Sequence, residues 1–271
     1  NLVRQKQAAI NARFPKLNRF MTGYNLAHID SENGFDLSKL ICGSEGTLAL
    51  VSELTLKLTP IPRAKELLVL RYHSFDAALR DANLLVQHNP DAIETIDDTI
   101  LKLAKEDVIW PQVASYLDQG NADKLAAINL VEFGAMDGLE LAVKVDAICC
   151  VLEANHASYE RISCPQDMAN LWELRKKGVG LLGNLAGSRR PIAFVEDTAV
   201  PPEHLADYIV EFRHLLDGMG VSYGMYGHVD AGCLHVRPAL NMRDPEDALK
   251  LRVISDAVQA LVQKYQGVMW G

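Results

Sequence analysis

The feature that most restricts this chain is Thr59-Pro60-Ile61-Pro62. Two prolines two apart remove two backbone donors and fix two φ angles, so neither a helix nor a central strand can run through them. The chain is read as two parts, residues 1–60 and residues 61–271. Its 271 residues suffice for one large or two modest domains.

Before the break, Thr22-Gly23-Tyr24-Asn25 and Ser31-Glu32-Asn33-Gly34 carry loop chemistry. The run TLALVSELTLKL then alternates, with Leu48, Leu50, Ser52, Leu54, Leu56 and Leu58 on one side. That predicts a long, partly buried strand or strand pair over 47–58. After the break the elements alternate. Strands are expected at 66–72, 127–133, 157–162, 192–195, 221–226 and 234–237. Helices are expected from Ser74, which can cap, and over 94–106, 137–154, 167–177, 201–218 and 245–265. Residues 178–190 are glycine-interrupted and looser. This order implies an α+β fold: a ferredoxin-like antiparallel sheet with helices on one face, preceded by the tail of another domain.

A net charge of −8 gives no general attraction to nucleic acid or anionic lipid, so an anion site must be built locally from a few Arg or Lys. No apolar stretch approaches the roughly 20 residues that span a bilayer, and the N-terminus is not a signal peptide. The ends, Asn1 and YQGVMWG, read as cuts in a longer protein. The five cysteines are odd in number and lack CxxC spacing. They read as reduced thiols of a cytoplasmic protein, at most peripheral to a membrane, and not as a disulfide framework or zinc ribbon.

Four stretches carry chemistry. Gly43-Ser44-Glu45-Gly46-Thr47 can bring backbone N–H groups close to an anion, or can be a tight turn with no ligand. His228 and His235 are seven apart, which on one regular strand puts them on opposite faces. A turn at Gly232 would let them converge as ligands of Zn²⁺ or another borderline divalent metal, with Asp230 a third ligand or a supporting carboxylate; otherwise they are unrelated loop histidines. Among the arginines, Arg237 projects with His235 as its i+2 neighbour, and Arg175 lies on a helix. Guanidinium forks suit carboxylates. Arg189 and Arg190 read as a solvated surface pair. Glu196-Asp197 could reach the site or cap the helix that begins near Pro201, and capping is the role assigned here to Asp197.

Together these motifs resemble the FAD-linked oxidase family: D-lactate, glycolate and D-2-hydroxyglutarate dehydrogenases, relatives of vanillyl-alcohol oxidase. DLSKLICGSEGTLALVSELTLKL resembles the family's signature at the end of the FAD-binding domain. VEDTAVP and GHVDAGCLHVRP resemble two signatures of its substrate-cap domain. The resemblance covers nearly the whole chain. It implies that Gly43, Ser44, Glu45, Gly46 and Thr47 lie against FAD and that His228 and His235 hold a divalent metal, Zn²⁺, Mn²⁺ or Fe²⁺. It also implies that Arg175 grips a substrate carboxylate. The family's Glu-His-Gly tripeptide, which supplies a third ligand and the catalytic base, is expected directly after Gly271, so no catalytic residue is assigned within the chain.

Two departures matter. Cys233 stands where many relatives have Asn. Arg237 stands where single-chain dehydrogenases often have Asn; an arginine there fits long oxidoreductases with iron–sulfur modules elsewhere, and a second anionic group on the substrate. The implied activity is oxidation of a D-2-hydroxyacid, D-2-hydroxyglutarate before D-lactate or glycolate, by hydride transfer to FAD, with electrons leaving to a quinone or an iron–sulfur relay. Two rival readings are a ferredoxin-like module that binds an acid without catalysis and a zinc hydrolase using His228, His235 and Asp230. The latter lacks a nucleophile at recognisable spacing.

Overall fold

The computed structural model describes residues 2–17, 23–31, 34–118, 125–184 and 187–269. Thr22, Glu32 and Asn33, on which part of the loop assignment rested, lie outside them. In the first part, α1 (Leu2–Arg13) precedes the antiparallel pair β1 (Asp30–Ser31) and β2 (Gly34–Phe35), then the short α2 (Ser38–Cys42). The strand expected over 47–58 does not form. Residues 49–62 have no regular structure, and Leu50 and Leu58 are 96% and 86% exposed. A half-buried strand needs an edge for its N–H groups and a cover for its apolar face. No described residue supplies either.

After the prolines come β3 (Ala64–Tyr72), α3 (Phe75–Val86), β4 (Ala92–Asp97), α4 (Asp98–Ala104), α5 (Trp110–Leu117) and β5 (Ala127–Ala135). Then follow α6 (Gly138–Ala154), β6 (Ser158–Ile162), α7 (Pro165–Leu182), β7 (Arg190–Pro191), β8 (Asp197–Ala199) and α8 (Leu205–Gly218). The last elements are β9 (Tyr223–His228), β10 (Cys233–Leu240), α9 (Pro245–Lys264) and β11 (Val268–Met269). Local chemistry explains several starts. Ser74 accepts the Ala77 N–H as cap of α3, and Asp137 accepts the Leu139 and Glu140 N–H groups at α6.

The strands form one nine-stranded antiparallel sheet in the order β11-β8-β10-β9-β4-β5-β3-β6, with β7 also on β10. The antiparallel sheet with helices agrees with the expected class, but the helices cover both faces. Leu68 and Leu70 of β3 join the core under α3, α6, α8 and α9, whereas Leu67 and Val69 join a second core under α4, α5 and α7. A strand covered on both sides is apolar at every position, so its period-2 signal vanishes.

The same effect hid β4. Ile93, Ile96 and Ile100 look like one helical stripe, and a helix was expected over 94–106. Ile93 instead enters the first core and Ile96 the second, and Asp97 ends the strand by capping α4 through the Ile100 N–H. The strand expected at 192–195 is replaced by β7 and β8 on either side of it. α7 runs five residues past its expected end at Lys177, to Leu182. It lies close on the sheet here: a Cβ on Gly224 of β9 would stand 2.3 Å from the Leu182 side chain.

Candidate active site

The face that carries α7 collects the chemistry. Antiparallel partners share a face. The ladder aligns Glu94 with His228, and Ile96 with Tyr226, His235 and Asp197 in the next row. Arg237, two after His235, stands opposite Gly224. The chain reverses between β9 and β10 through a single helical turn, Val229–Ala231, and Gly232 in the left-handed region at φ +66°. Only glycine fits there, because a Cβ would lie 1.8 Å from the Val200 carbonyl oxygen. Gly227, at φ +146°, likewise lets β9 and β10 come close.

This turn brings His228 and His235 together. Their ring centres are 5.3 Å apart, edge to face. Each Nδ1 faces a carboxylate: His228 meets Glu94 Oε1 at 2.5 Å, and His235 lies 2.8 Å from Asp197 Oδ1. The latter pair is close but off the line of an N–H bond, which leaves His235 Nδ1 and Asp197 Oδ1 as buried polar atoms with no aligned partner. Asp197 therefore faces the site and does not cap a helix. The turn at Pro202–His204 and α8 both begin without a side-chain cap, and Pro201-Pro202 lacks the first amide donors a cap would serve. Asp230 accepts the Ala231 N–H within its own turn; the carboxylates at the imidazoles are Glu94 and Asp197.

The arginines are held by glutamates. Arg175 Nε donates to Glu94 Oε2 at 2.9 Å, and its guanidinium lies 4.9 Å over the Tyr226 ring. Arg237 Nε donates to Glu196 Oε1 at 2.8 Å, and Nη2 forms the ion pair with the same oxygen, also at 2.8 Å. That oxygen is also 3.5 Å from the Tyr226 hydroxyl and 3.6 Å from His235 Nδ1. Burial opposes the charge on Glu94, but the His228 hydrogen bond and the Arg175 cation outweigh it and hold the carboxyl below the usual range. Burial also lowers His235, more than Asp197 raises it, so the imidazole is neutral near pH 7, the form that binds metals. Burial pushes the Tyr226 phenol up to about 12.

The two histidines fit a divalent ion. Metal–nitrogen bonds of about 2 Å place two imidazole centres about 5 Å apart, near the observed spacing. Carboxylates at both Nδ1 atoms leave the Nε2 atoms for coordination, the usual support for a metal-bound histidine. Among the described residues no cluster of three or more His, Cys, Asp or Glu is arranged to hold an ion.

The 43–47 segment stands apart. Ser44 is buried, Glu45 and Gly46 adopt positive φ, and Thr47 donates from its amide and hydroxyl to the Ser44 carbonyl. No hydrogen bond or ion pair among the described residues joins this turn to the histidines. Arg189 is not a free surface pair with Arg190: it clamps the buried Asp247 through Nε and Nη2. The open cavity of about 540 Å³ beside Asp98, Arg213 and Tyr223 contains none of the clustered side chains, so the titratable groups locate the site and the cavity does not. Glu94 and Tyr226 were not singled out in the sequence. Their visible signal is a charge beside Ile93 in β4 and a second tyrosine two residues before His228 in β9.

Residues 61–271 match the family described as FAD linked oxidases, C-terminal domain. The chain belongs to that family. At 45% identity over 277 residues it is similar to the D-2-hydroxyglutarate dehydrogenase of Pantoea ananatis, covering 99% of this chain and 27% of that protein. At 49% over 268 residues it is similar to the D-2-hydroxyglutarate dehydrogenase of Pseudomonas putida, covering 97% and 26%. The chain thus spans about a quarter of the length of these curated relatives. Among solved structures, alkyldihydroxyacetonephosphate synthase aligns with a TM-score of 0.60 at 15% identity, over 88% of this chain and 46% of that one. The 4-ethylphenol oxidase from Gulosibacter chungangensis aligns with a TM-score of 0.55 at 10% identity, over 79% and 47%. At such identities these two likenesses establish the shared fold of the FAD-linked oxidase C-terminal domain and nothing finer. No helix among the described residues is long and apolar enough to cross a membrane.

Proposed function

We propose that this chain is the substrate-cap domain, residues 61–271, and the tail of the FAD-binding domain, residues 1–60, of a flavin-dependent dehydrogenase. In this reading it oxidises D-2-hydroxyglutarate to the 2-oxoacid. The observation that carries the reading is the pairing of two glutamate-held arginine forks with two converging imidazoles on one face of the sheet. Arg175 and Arg237 would each take one carboxylate of a dicarboxylic hydroxyacid. The names of the two relatives similar over nearly all of this chain support that substrate.

FAD, against Gly43, Ser44, Glu45, Gly46 and Thr47, would supply the hydride acceptor. A divalent ion such as Zn²⁺ on His228 and His235 would supply Lewis acidity toward the α-hydroxyl oxygen. The chain's own side chains bind and orient. Arg175 and Arg237 hold the acid, Tyr226 backs Arg175, and Glu94 orients the His228 imidazole through Nδ1, with Asp197 beside His235 Nδ1. Electrons would leave to a quinone or to an iron–sulfur cluster elsewhere in a cytoplasmic, at most membrane-peripheral, protein.

The test is an absorbance scan of the full-length flavoprotein, purified in air, before and after D-2-hydroxyglutarate. Bleaching of the oxidised-flavin band supports both class and substrate. A flavin that bleaches only with D-lactate or glycolate keeps the class and removes the role given to Arg237. Absence of flavin would leave a non-catalytic acid-binding module as the better account.

A further inference from the structure

Arginines in this fold differ in how they spend their N–H groups. Arg189 spends Nε and Nη2 on Asp247 and Nη1 on the Gly220 carbonyl. Arg71 engages Ser158, the Tyr116 and Tyr159 carbonyls and Glu160 with Nε, Nη1 and Nη2. Both are consumed by structure. Arg175 and Arg237 are each gripped from the Nε side by one glutamate, the buried Glu94 and the half-buried Glu196. No protein acceptor among the described residues takes Arg175 Nη1 or Nη2, or Arg237 Nη1.

We infer that Glu196 is a positioning residue that sets the preference for a dicarboxylic over a monocarboxylic hydroxyacid, by holding Arg237 with its outer N–H groups toward the site. This rests on the functional reading above. A free arginine side chain samples many rotamers, and ordering it on ligand binding costs affinity. Glu196 removes that freedom beforehand by accepting from Arg237 Nε, and its Oε1 also lies 3.5 Å from the Tyr226 hydroxyl and 3.6 Å from His235 Nδ1. Arg237 shares a strand face with His235, so the oriented fork and the imidazole address the same space. Glu94 does the same for Arg175, which would take the carboxylate common to every 2-hydroxyacid. Only the Glu196–Arg237 half therefore discriminates between acids.

Orientation and charge predict opposite signs. If Glu196 merely neutralised Arg237, its removal would leave a more cationic site and tighten anion binding. If it orients Arg237, its removal weakens binding of the second carboxylate alone.

The experiment uses the full-length flavoprotein, with KM and kcat measured for D-2-hydroxyglutarate and for D-2-hydroxyvalerate, which carries a methyl in place of the distal carboxylate. E196A is expected to raise KM for the dicarboxylate about tenfold, with KM for the valerate within about twofold. E196Q keeps an oxygen acceptor for Arg237 Nε and is expected to restore the preference. R237A is expected to match E196A, with no added loss in the double variant, because the two act as one unit. A KM for the dicarboxylate that falls in E196A, or that rises equally for both acids, overturns the inference while the functional reading stands. A wild-type enzyme that oxidises neither acid overturns the functional reading instead.

Discussion

Glu94 and His228 are partners in the β4–β9 ladder, and the Glu94 carboxylate bridges the His228 imidazole and the Arg175 guanidinium brought by α7. One buried acid therefore ties the face of the sheet to the helix lying over it. The strand row fixes where Glu94 points, and the close contact of Leu182 with Gly224 fixes how near Arg175 comes. Geometry at the histidines and at the arginine is thus not independent, and single changes in the supporting backbone should be felt at both.

Gly232→Ala is the sharpest such change. The added Cβ would meet the Val200 carbonyl oxygen, at a φ that alanine avoids. Left-handed backbone alone costs about 1–2 kcal/mol, and the clash adds to it. Thermal unfolding of the chain should show a loss of at least about 2 kcal/mol. An unchanged midpoint would mean that the β9–β10 turn opens freely and does not fix the histidines.

Parts of this were legible before the structure. The odd spacing of His228 and His235, with a glycine between, already required a turn if they were to meet, and Arg237 was tied to His235 by strand parity. Glu94 was not legible, because isoleucines feeding two cores at Ile93 and Ile96 imitate one helical stripe. Asp197 was visible but was assigned to a cap. Sequence cannot tell an acid before Pro-Pro that caps from one that turns inward to an imidazole. The 47–58 alternation was real as a pattern, but a strand is made by its partners as well as its own residues.

Replacing either histidine should release the proposed metal. In the full-length flavoprotein, H228A and H235A should each lower divalent-metal content at least tenfold, since supporting groups alone are worth about 10–100-fold in affinity and a ligand is worth more. Elemental analysis after gel filtration reads this directly, with flavin content as the control for folding. Metal retained at wild-type stoichiometry in both variants would remove the ligand role.

Asp97 makes stability fall as pH rises. It is fully buried, accepts the Ile100 and Met225 N–H groups, and burial raises it to about 7 against an ordinary 3.8, with the Arg213 cation opposing only in part. Below pH about 4 folded and unfolded chains both hold the proton. Between about 4 and 7 only the folded chain does, so each unit upward removes up to about 1.4 kcal/mol of its contribution. D97N removes the titrating group and should lose that slope, at a pH-independent cost because its amide nitrogen cannot accept from one of the Ile100 and Met225 N–H groups. The difference between the unfolding midpoints of the two proteins should therefore shift in favour of the variant between about pH 4 and about pH 8. Parallel profiles would show that Asp97 is charged in the fold.

Tyr226 tests how Arg175 is supported. Its ring lies under the guanidinium and 5.2 Å from the His235 ring, while its hydroxyl is only at the limit of a hydrogen bond to Glu196. The ring should therefore matter more than the hydroxyl. A desolvated cation–π contact contributes about 1–2 kcal/mol, equivalent to about five- to thirtyfold in binding. Y226F should leave KM for the hydroxyacid within about threefold. Y226L fills similar volume without a π face and should raise KM by about that five- to thirtyfold factor. If Y226F carries the larger loss, the phenol and its link to Glu196 hold the site, and Arg175 needs no aromatic floor.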